Sequence, residues 1–376
     1  MKEQLLTISE TLKEPLVAMS DYICAHPELG NEEYQAVAIL TTFLKEHHFI
    51  VESPVVNLDT AFTAVYDSQK PGLSVAFLCE YDALPGVGHG CGHNMIGVMS
   101  AGAGVLLSKI IAEIGGKVYV FGTPAEETNG AKVPMAAAGL FDQMDAVMMV
   151  HPADFTMESG TSLAMEALQF DYYGQTAHAA ADPEAGINAL NAVIQLFNGI
   201  DAMRQHVTSD ARIHGVITKG GVAANIVPDE ASAQFYLRAA TKEYLAVVKE
   251  KVLNIAEGAA LMTGATLKVS NYELSYDDLK TNQVLSQAFS DNLRQLGITE
   301  ILPKINASGS VDIGNISNIV PTIHPYIGIT DQQLTSHTKE MAAATLTDLA
   351  HERLLIGTLA LAYTGYDVLA GQIKLK

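Results

Sequence analysis

Residues 89 to 94 read "HGCGHN", a cysteine and two histidines within six residues. A thiol and imidazoles at that density suit a nucleophile with its base, half of a disulfide, a structural zinc knuckle, or part of a larger constellation. Two of these are weak from counting alone. The chain has 3 cysteines, Cys24, Cys79 and Cys91, with no framework spacing and no C-x-x-C pair. An odd, sparse set behind a start, "MKEQLLTISE", that lacks an apolar signal core points to a reducing cytoplasm and away from disulfides.

Other residues able to do chemistry lie further along. Glu126 and Glu127 are adjacent in "TPAEETNG", His151 precedes Pro152, and His337 stands in "TSHTKE". Thiolate, imidazole and carboxylate are the usual ligands of zinc and similar divalent ions, so Cys91, His93, Glu126, Glu127 and His151 can surround an ion if they share a rim. His337 can complete such a set, with His324 in "TIHPYI" as its competitor. Two neighbouring carboxylates repel each other unless a cation or proton lies between them. One glutamate can therefore bind metal while the other takes a proton from water that the metal acidifies.

The elements that must position these groups follow from pattern. Leu73 to Cys79 ("LSVAFLC") is an almost wholly apolar run, as expected of a strand covered on both faces. A helix starts near Asn94, a good N-cap residue. Lys117 to Gly122 is a second strand, a helix runs from about Ala131 to Phe141, and Asp145 to Val150 is a third strand. Strands alternating with helices imply parallel βαβ units whose C-terminal ends share one rim, where open α/β sheets build their sites.

From about 168 the rhythm changes to β-α-β-β-α-β. Strands are expected at 167–173, 213–219, 230–238 and 266–272, with helices at 183–206 and 244–262. This is the ferredoxin-like order, an antiparallel sheet with two helices on one face. The chain then returns to α/β patterning, with a helix at 283–296, the loop "NASGSVDIGN" and a final helix from about 340. The expected division is a catalytic domain over 1–167 and 279–376 with an inserted domain over 168–278. Acidic residues outnumber basic ones 42 to 22, a net charge of −20, so phosphate backbones and anionic membranes are repelled. The longest apolar run, Met95 to Leu107, is too short to span a bilayer.

Eight motifs in order, "HPELGNEE", "EYDALPG", "HGCGHN", "GTPAEE", "HP", "GQTAHAA" with "GINA", "GGVAANIVPDE" and "HTKE", resemble the amidohydrolase branch of the aminoacylase and carboxypeptidase-G superfamily. The resemblance implies a zinc-peptidase-like α/β domain with a mixed, largely parallel sheet flanked by helices, and an inserted ferredoxin-like α+β lid. It implies two divalent ions, zinc or manganese, bridged by Cys91, with His93, Glu127, His151 and His337 as the other ligands. Glu126 matches the general base and Asp82 an aspartate that orients the metal site. In the lid, His178 matches an oxyanion-stabilising histidine, while Asn225 and Arg238 match positions that hold the substrate. Departures occur at Glu80 and Asn94, where many relatives carry aspartate, and at Ser310-Val311-Asp312-Ile313, where they carry a Ser-Glu-Asp-Phe run. These variants resemble the dipeptidase and aminobenzoyl-glutamate hydrolase members.

The expected activity is metal-dependent cleavage of an amide or peptide bond in a small substrate, a dipeptide or an N-acyl or aminobenzoyl amino acid. A homodimer or larger homo-oligomer assembled through the lid is expected with it. The alternatives are a cysteine hydrolase with Cys91 as nucleophile and a non-catalytic binding protein keeping a vestigial site. His26, Cys24 and Cys79 read as structural, and His89 divides evenly between a pocket role and bracing its loop.

Overall fold

The computed structural model describes residues 1–305 and 309–375. Its first run opens with helices α1 (Lys2–Ala25) and α2 (Tyr34–Glu46) and the strands β1 (Ile50–Glu52) and β2 (Phe62–Asp67), all ahead of the first element expected from pattern. Then follow β3 (Ser74–Cys79), α3 (His93–Ser108), α4 (Ile111–Ile114), β4 (Lys117–Gly122), α5 (Lys132–Ala137), β5 (Ala146–Met148) and β6 (His151–Ala153). After Ser74, β3 is apolar and buried at every position. Val75, Phe77 and Cys79 enter one core cluster and Ala76 and Leu78 the cluster on the opposite face.

Several element boundaries differ from those expected. Helix α3 opens at His93, with Gly92 as its N-cap residue, one residue before the expected start at Asn94. Gly92 adopts φ +78°, and the N–H of Met95 already closes a turn onto its carbonyl at 2.9 Å. Asn94 therefore falls inside the helix and donates from Nδ2 to Ser20 Oγ of α1 at 3.1 Å. Helix α5 stops at Ala137, four residues short of Phe141, ahead of Gly139. β5 ends at Met148, and His151 stands within β6 instead of directly following the third strand.

The second unit comprises β7 (Ala164–Tyr173), α6 (Ala189–Met203), β8 (Arg212–Lys219), β9 (Glu230–Ala239), α7 (Lys242–Thr263) and β10 (Thr266–Asn271). Its sheet order is β10-β7-β9-β8 with every pairing antiparallel. Only the middle of the expected helix at 183–206 is α-helical, because Asn188 caps α6 through its side chain at Asn191 N–H and short 3-10 turns flank it. α6 and α7 bury Val193, Leu196, Val248 and Val252 against Phe170 and Phe235 of the sheet. The outer strand β8 leaves Val216 58% exposed.

The returning chain adds α8 (Gln283–Gln295), α9 (Ile313–Ser317), β11 (Thr322–Ile323), β12 (Tyr326–Gly328), α10 (Lys339–Ala344) and α11 (Asp348–Leu369). The first three residues of the expected loop "NASGSVDIGN" and the last residue of the chain lie outside the described residues. β11 completes a six-stranded sheet, β1-β2-β4-β3-β5-β11, in which β4, β3, β5 and β11 run parallel and β2 is antiparallel to both its neighbours. β6 and β12 form a separate parallel pair. Contacts group Met1–Thr161, Leu279–Ala307 and Val311–Lys376 into one compact unit and Ser162–Asp278 with Ser308–Ser310 into the other.

Helix α3 is buried at every residue, in keeping with a sequence apolar around its whole circumference. It packs against α1 and α11, and each fully buried Met, Ile, Val or Leu on it contributes about 1.5–3 kcal/mol. That burial anchors the loop bearing Cys91. Among the described residues no helix is long and apolar enough to cross a membrane.

Candidate metal centre

The parallel strands β3, β4 and β5 run the same way, so the segments leaving their C-terminal ends gather on one side of the sheet. Asp82 follows β3, Glu126 and Glu127 follow β4, and His151 follows β5. Cys91 enters from the loop before α3, where Gly92 is forced by space as well as by its φ, since a Cβ there would meet Pro152 Cβ at 2.9 Å. His337 enters from the returning chain, its N–H donating to Gly90 O at 2.9 Å.

The structure brings all five expected ligands together in two overlapping triads. Cys91, His93 and His151 form one and Cys91, Glu127 and His337 the other, with the donor atoms of each within 4.8 Å of one another. A third group joins His93, Glu126 and Glu127. Cys91 Sγ lies 3.4 Å from His151 Nε2. His324 enters none of these groups. Its ring is tilted against that of His151 and edge-on to that of Tyr326 at separations of 5.4 and 5.2 Å.

Hydrogen bonds aim each ring. His151 Nδ1 donates to the Pro152 carbonyl at 2.7 Å and His93 Nδ1 to Asp82 Oδ1 at 2.9 Å, which leaves both Nε2 lone pairs for the centre. Asp82 also accepts the Glu127 N–H on Oδ2 at 3.0 Å, tying two strand ends together. His93 Nε2 and Glu127 Oε1 are buried and make no hydrogen bond. Glu127 Oε1 nevertheless faces His337 Nε2 at 3.1 Å. Buried lone pairs that converge without a donor are what a cation satisfies. The donor set of thiol, imidazoles and carboxylate fits divalent metal ions.

Burial and charge tune the groups. Burial pushes the Cys91 thiol up to about 12, with His93 pulling the other way. Burial, with His324 and His93 beside it, pushes His151 down to about 3. For Asp82 burial acts upward, but the His93 imidazole outweighs it and holds the carboxyl at about 2. Burial and the nearby Glu80 and Asp312 carboxylates push Glu126 well above the ordinary range.

Behind the centre lies an ion cluster that the motifs did not disclose. Lys132, fully buried, donates from Nζ to Glu80 Oε1 and Asp312 Oδ1, both at 2.7 Å, and its N–H donates to Asp312 Oδ2 at 3.2 Å. Burial acts to lower the lysine's pKa, but Asp312, Glu80 and Glu126 more than offset it and keep the ammonium charged. Glu80 is one of the departures noted in the sequence, and Asp312 is the residue of the Ser310–Ile313 run that keeps the relatives' aspartate. The readable signal was a lone lysine in the otherwise apolar stretch "AKVPMAAA".

His178 is exposed in the second unit, its Nδ1 accepting the N–H groups of Ala180 and Ala181 at 3.2 Å, and a β-bridge to Ile226 sets it beside the Asn225 segment. Asn225 is exposed, and its carbonyl accepts the Ala179 N–H at 3.0 Å. Arg238, on β9, donates from Nη1 to Ser310 Oγ at 3.1 Å and lies over the Tyr236 ring, with Nε buried and unpaired. His89 is buried with neither ring nitrogen hydrogen-bonded, and burial pushes it down to about 4. His26 stacks on Tyr22 at 4.1 Å. All three cysteines are free.

Comparison with known proteins agrees with this architecture. Residues 167–261 match the model of a peptidase dimerisation domain. The chain is 37% identical over 376 residues to the Xaa-Arg dipeptidase of Mus musculus, covering 95% of this chain and 86% of the relative. It is 32% identical over 303 residues to a component of the p-aminobenzoyl-glutamate hydrolase of Escherichia coli K12, covering 75% and 62% of the two chains. Its fold superposes on the Bacillus subtilis YXEP protein, described as a dinuclear metal binding peptidase of the M20 family, with a TM-score of 0.69 at 20% identity over 94% of this chain and 98% of that one. With the motifs in order, the two-unit fold and a relative this similar over nearly its full length, the chain belongs to the M20 peptidase family of hydrolases, alongside its dipeptidase and aminobenzoyl-glutamate hydrolase members.

Proposed function

We propose that the protein hydrolyses the amide bond of a dipeptide or an N-acyl or aminobenzoyl amino acid, with Cys91, His93, Glu127, His151 and His337 holding two divalent ions and Glu126 acting as general base. The observation that carries this reading is the pair of donor triads sharing Cys91, with Glu126 beside both yet in neither. Ions bound there would polarise the scissile carbonyl and make a water acidic near neutral pH. Glu126 takes that water's proton and returns it to the leaving amine. Asp82 keeps His93 in the tautomer that presents Nε2. The roles proposed for His178 in steadying the oxyanion and for Asn225 and Arg238 in holding substrate rest on the sequence resemblance. Zinc and manganese both suit this donor set.

Dipeptides head the substrate class, because the relative sharing the larger identity over the longer span is named a dipeptidase. The net charge of −20 adds long-range attraction for a cationic C-terminal residue such as arginine or lysine. The test is a panel of dipeptides and N-acyl amino acids, assayed before chelation, after it, and after readdition of zinc or manganese. Cleavage that chelation abolishes and metal restores is expected, with X-Arg and X-Lys ahead of X-Asp. Undiminished turnover in chelator would end the metal reading.

The 3.4 Å Cys91–His151 pair favours a second reading, a cysteine nucleophile with its base. A histidine held near 3 cannot draw the proton from a thiol held near 12, and this ranks it below the first. In the same assay a cysteine hydrolase would lose activity to thiol alkylation and none to chelation.

The dimerisation-domain match and the exposed edge strand β8 support assembly as a homodimer through the second unit. Sedimentation equilibrium at micromolar concentration is expected to give twice the chain mass. A monomer would count against it.

A further inference from the structure

Of the motifs in the sequence, "HPELGNEE" alone has no task in this scheme. Its last residue, Glu33, is fully buried, and its carboxylate takes two hydrogen bonds, from the Thr60 hydroxyl at 2.7 Å on Oε2 and from the Ala125 N–H at 2.8 Å on Oε1. Thr60 is itself fixed, its carbonyl accepting the Tyr81 hydroxyl at 2.5 Å. Ala125 directly precedes Glu126 and stands at φ +59°, a left-handed conformation that an alanine adopts only when its surroundings enforce it. Its carbonyl accepts the N–H groups of Asn129 and Gly130 at 2.9 and 2.7 Å, so the whole turn hangs on this residue.

Gly30 of the same motif packs onto that turn. A Cβ at Gly30 would meet Cα and Cβ of Ala125 at 2.9 Å and Thr128 Oγ1 at 2.5 Å. On the other side of Glu126, Asp82 accepts the Glu127 N–H at 3.0 Å. Buried carboxylates from two distant segments thus hold the peptide N–H groups flanking Glu126.

We infer that Glu33 is a positioning residue for hydrolysis: with Gly30 it holds Ala125 left-handed, which aims the Glu126 carboxylate. The inference rests on the reading of Glu126 as the base. Replacing Glu33 by leucine leaves the Ala125 N–H unpaired and lets the turn relax. A glutamine restores the pattern, its amide oxygen accepting from Ala125 and its NH2 group facing the Thr60 oxygen.

The experiment compares Glu33→Leu, Glu33→Gln and Glu126→Gln with the Glu33→Leu/Glu126→Gln double variant in the metal-loaded protein, recording kcat, KM, bound metal and melting temperature. Glu33→Leu is expected to lower kcat on the order of 10- to 100-fold, the scale set by a small misplacement of a reacting group. KM and metal content should stay within about threefold, as should kcat in Glu33→Gln. In the Glu126→Gln background the same change should cost nothing further, because a residue acting through Glu126 has nothing left to aim. If Glu33→Leu fails to fold, Gly30→Ala replaces it in the same comparison, since its Cβ pushes directly on Ala125. Wild-type kcat in the leucine variant, an equal loss in both backgrounds, or a loss matched by lost metal would each overturn the inference. If Glu126→Gln itself keeps turnover, the base reading falls and takes this inference with it; if only the Glu33 variants keep turnover, the base reading stands.

Discussion

Glutamine in place of Glu126 is expected to leave two ions bound per chain and to lower kcat by about 10²–10⁴-fold, the usual worth of a positioned general base. The amide matches the carboxylate in shape, so the turn after β4 and its hydrogen bonds to Glu33 and Asp82, all made through backbone N–H groups, have no reason to move. What it cannot do is take up a proton. Glu127→Gln makes the informative contrast, because Glu127 belongs to the triad with Cys91 and His337 and its loss should lower metal occupancy. Metal analysis beside steady-state kinetics separates the two. Near-native turnover in Glu126→Gln, or loss of metal from it in place of Glu127→Gln, would reverse the roles assigned to the pair.

Methionine in place of Lys132 is expected to destabilise the protein by about 3–5 kcal/mol, the scale for removing one partner of a buried ion cluster. The ammonium is enclosed and serves two carboxylates at 2.7 Å each. Without it Glu80 and Asp312 face each other out of reach of solvent, and one must take a proton or leave the interior. For a chain of this length the melting temperature should fall by about 4–6 °C. Lys117→Met is the control, since the Lys117–Asp67 pair is solvent-exposed and screened by water and salt. Equal melting temperatures for the two variants would mean that the cluster relaxes at no cost. The consequence reaches the site as well, because Glu80 Oε2 lies 3.5 Å from His93 Nε2 and Asp312 pins the start of α5, just beyond Glu126.

Much of this molecule is legible one residue at a time. The run at 75–79 has to be a doubly covered strand because every position in it is apolar. The β-α-β-β-α-β rhythm of the second unit appears with the strand order β10-β7-β9-β8 that such a pattern leads one to expect. Cys91, His93, Glu127, His151 and His337 were selected by type and motif, and the fold brings their donor atoms together. Element ends were less legible. Asn94 has the chemistry of a cap, yet Gly92 had already turned the chain, and only the backbone shows that.

Sequence by itself determined the family and the two-part architecture, since both are carried by local patterns of type and spacing. Tertiary structure alone decided the pairings. It set His337 beside Cys91 and Glu127, joined Lys132 to Glu80 and Asp312, and set Glu33 against Ala125 across 92 positions of sequence. The physical reason is the same in each case. A buried charge or orphaned N–H must find its partner wherever the packed chain places one, and nothing in the spacing along the chain records where that will be.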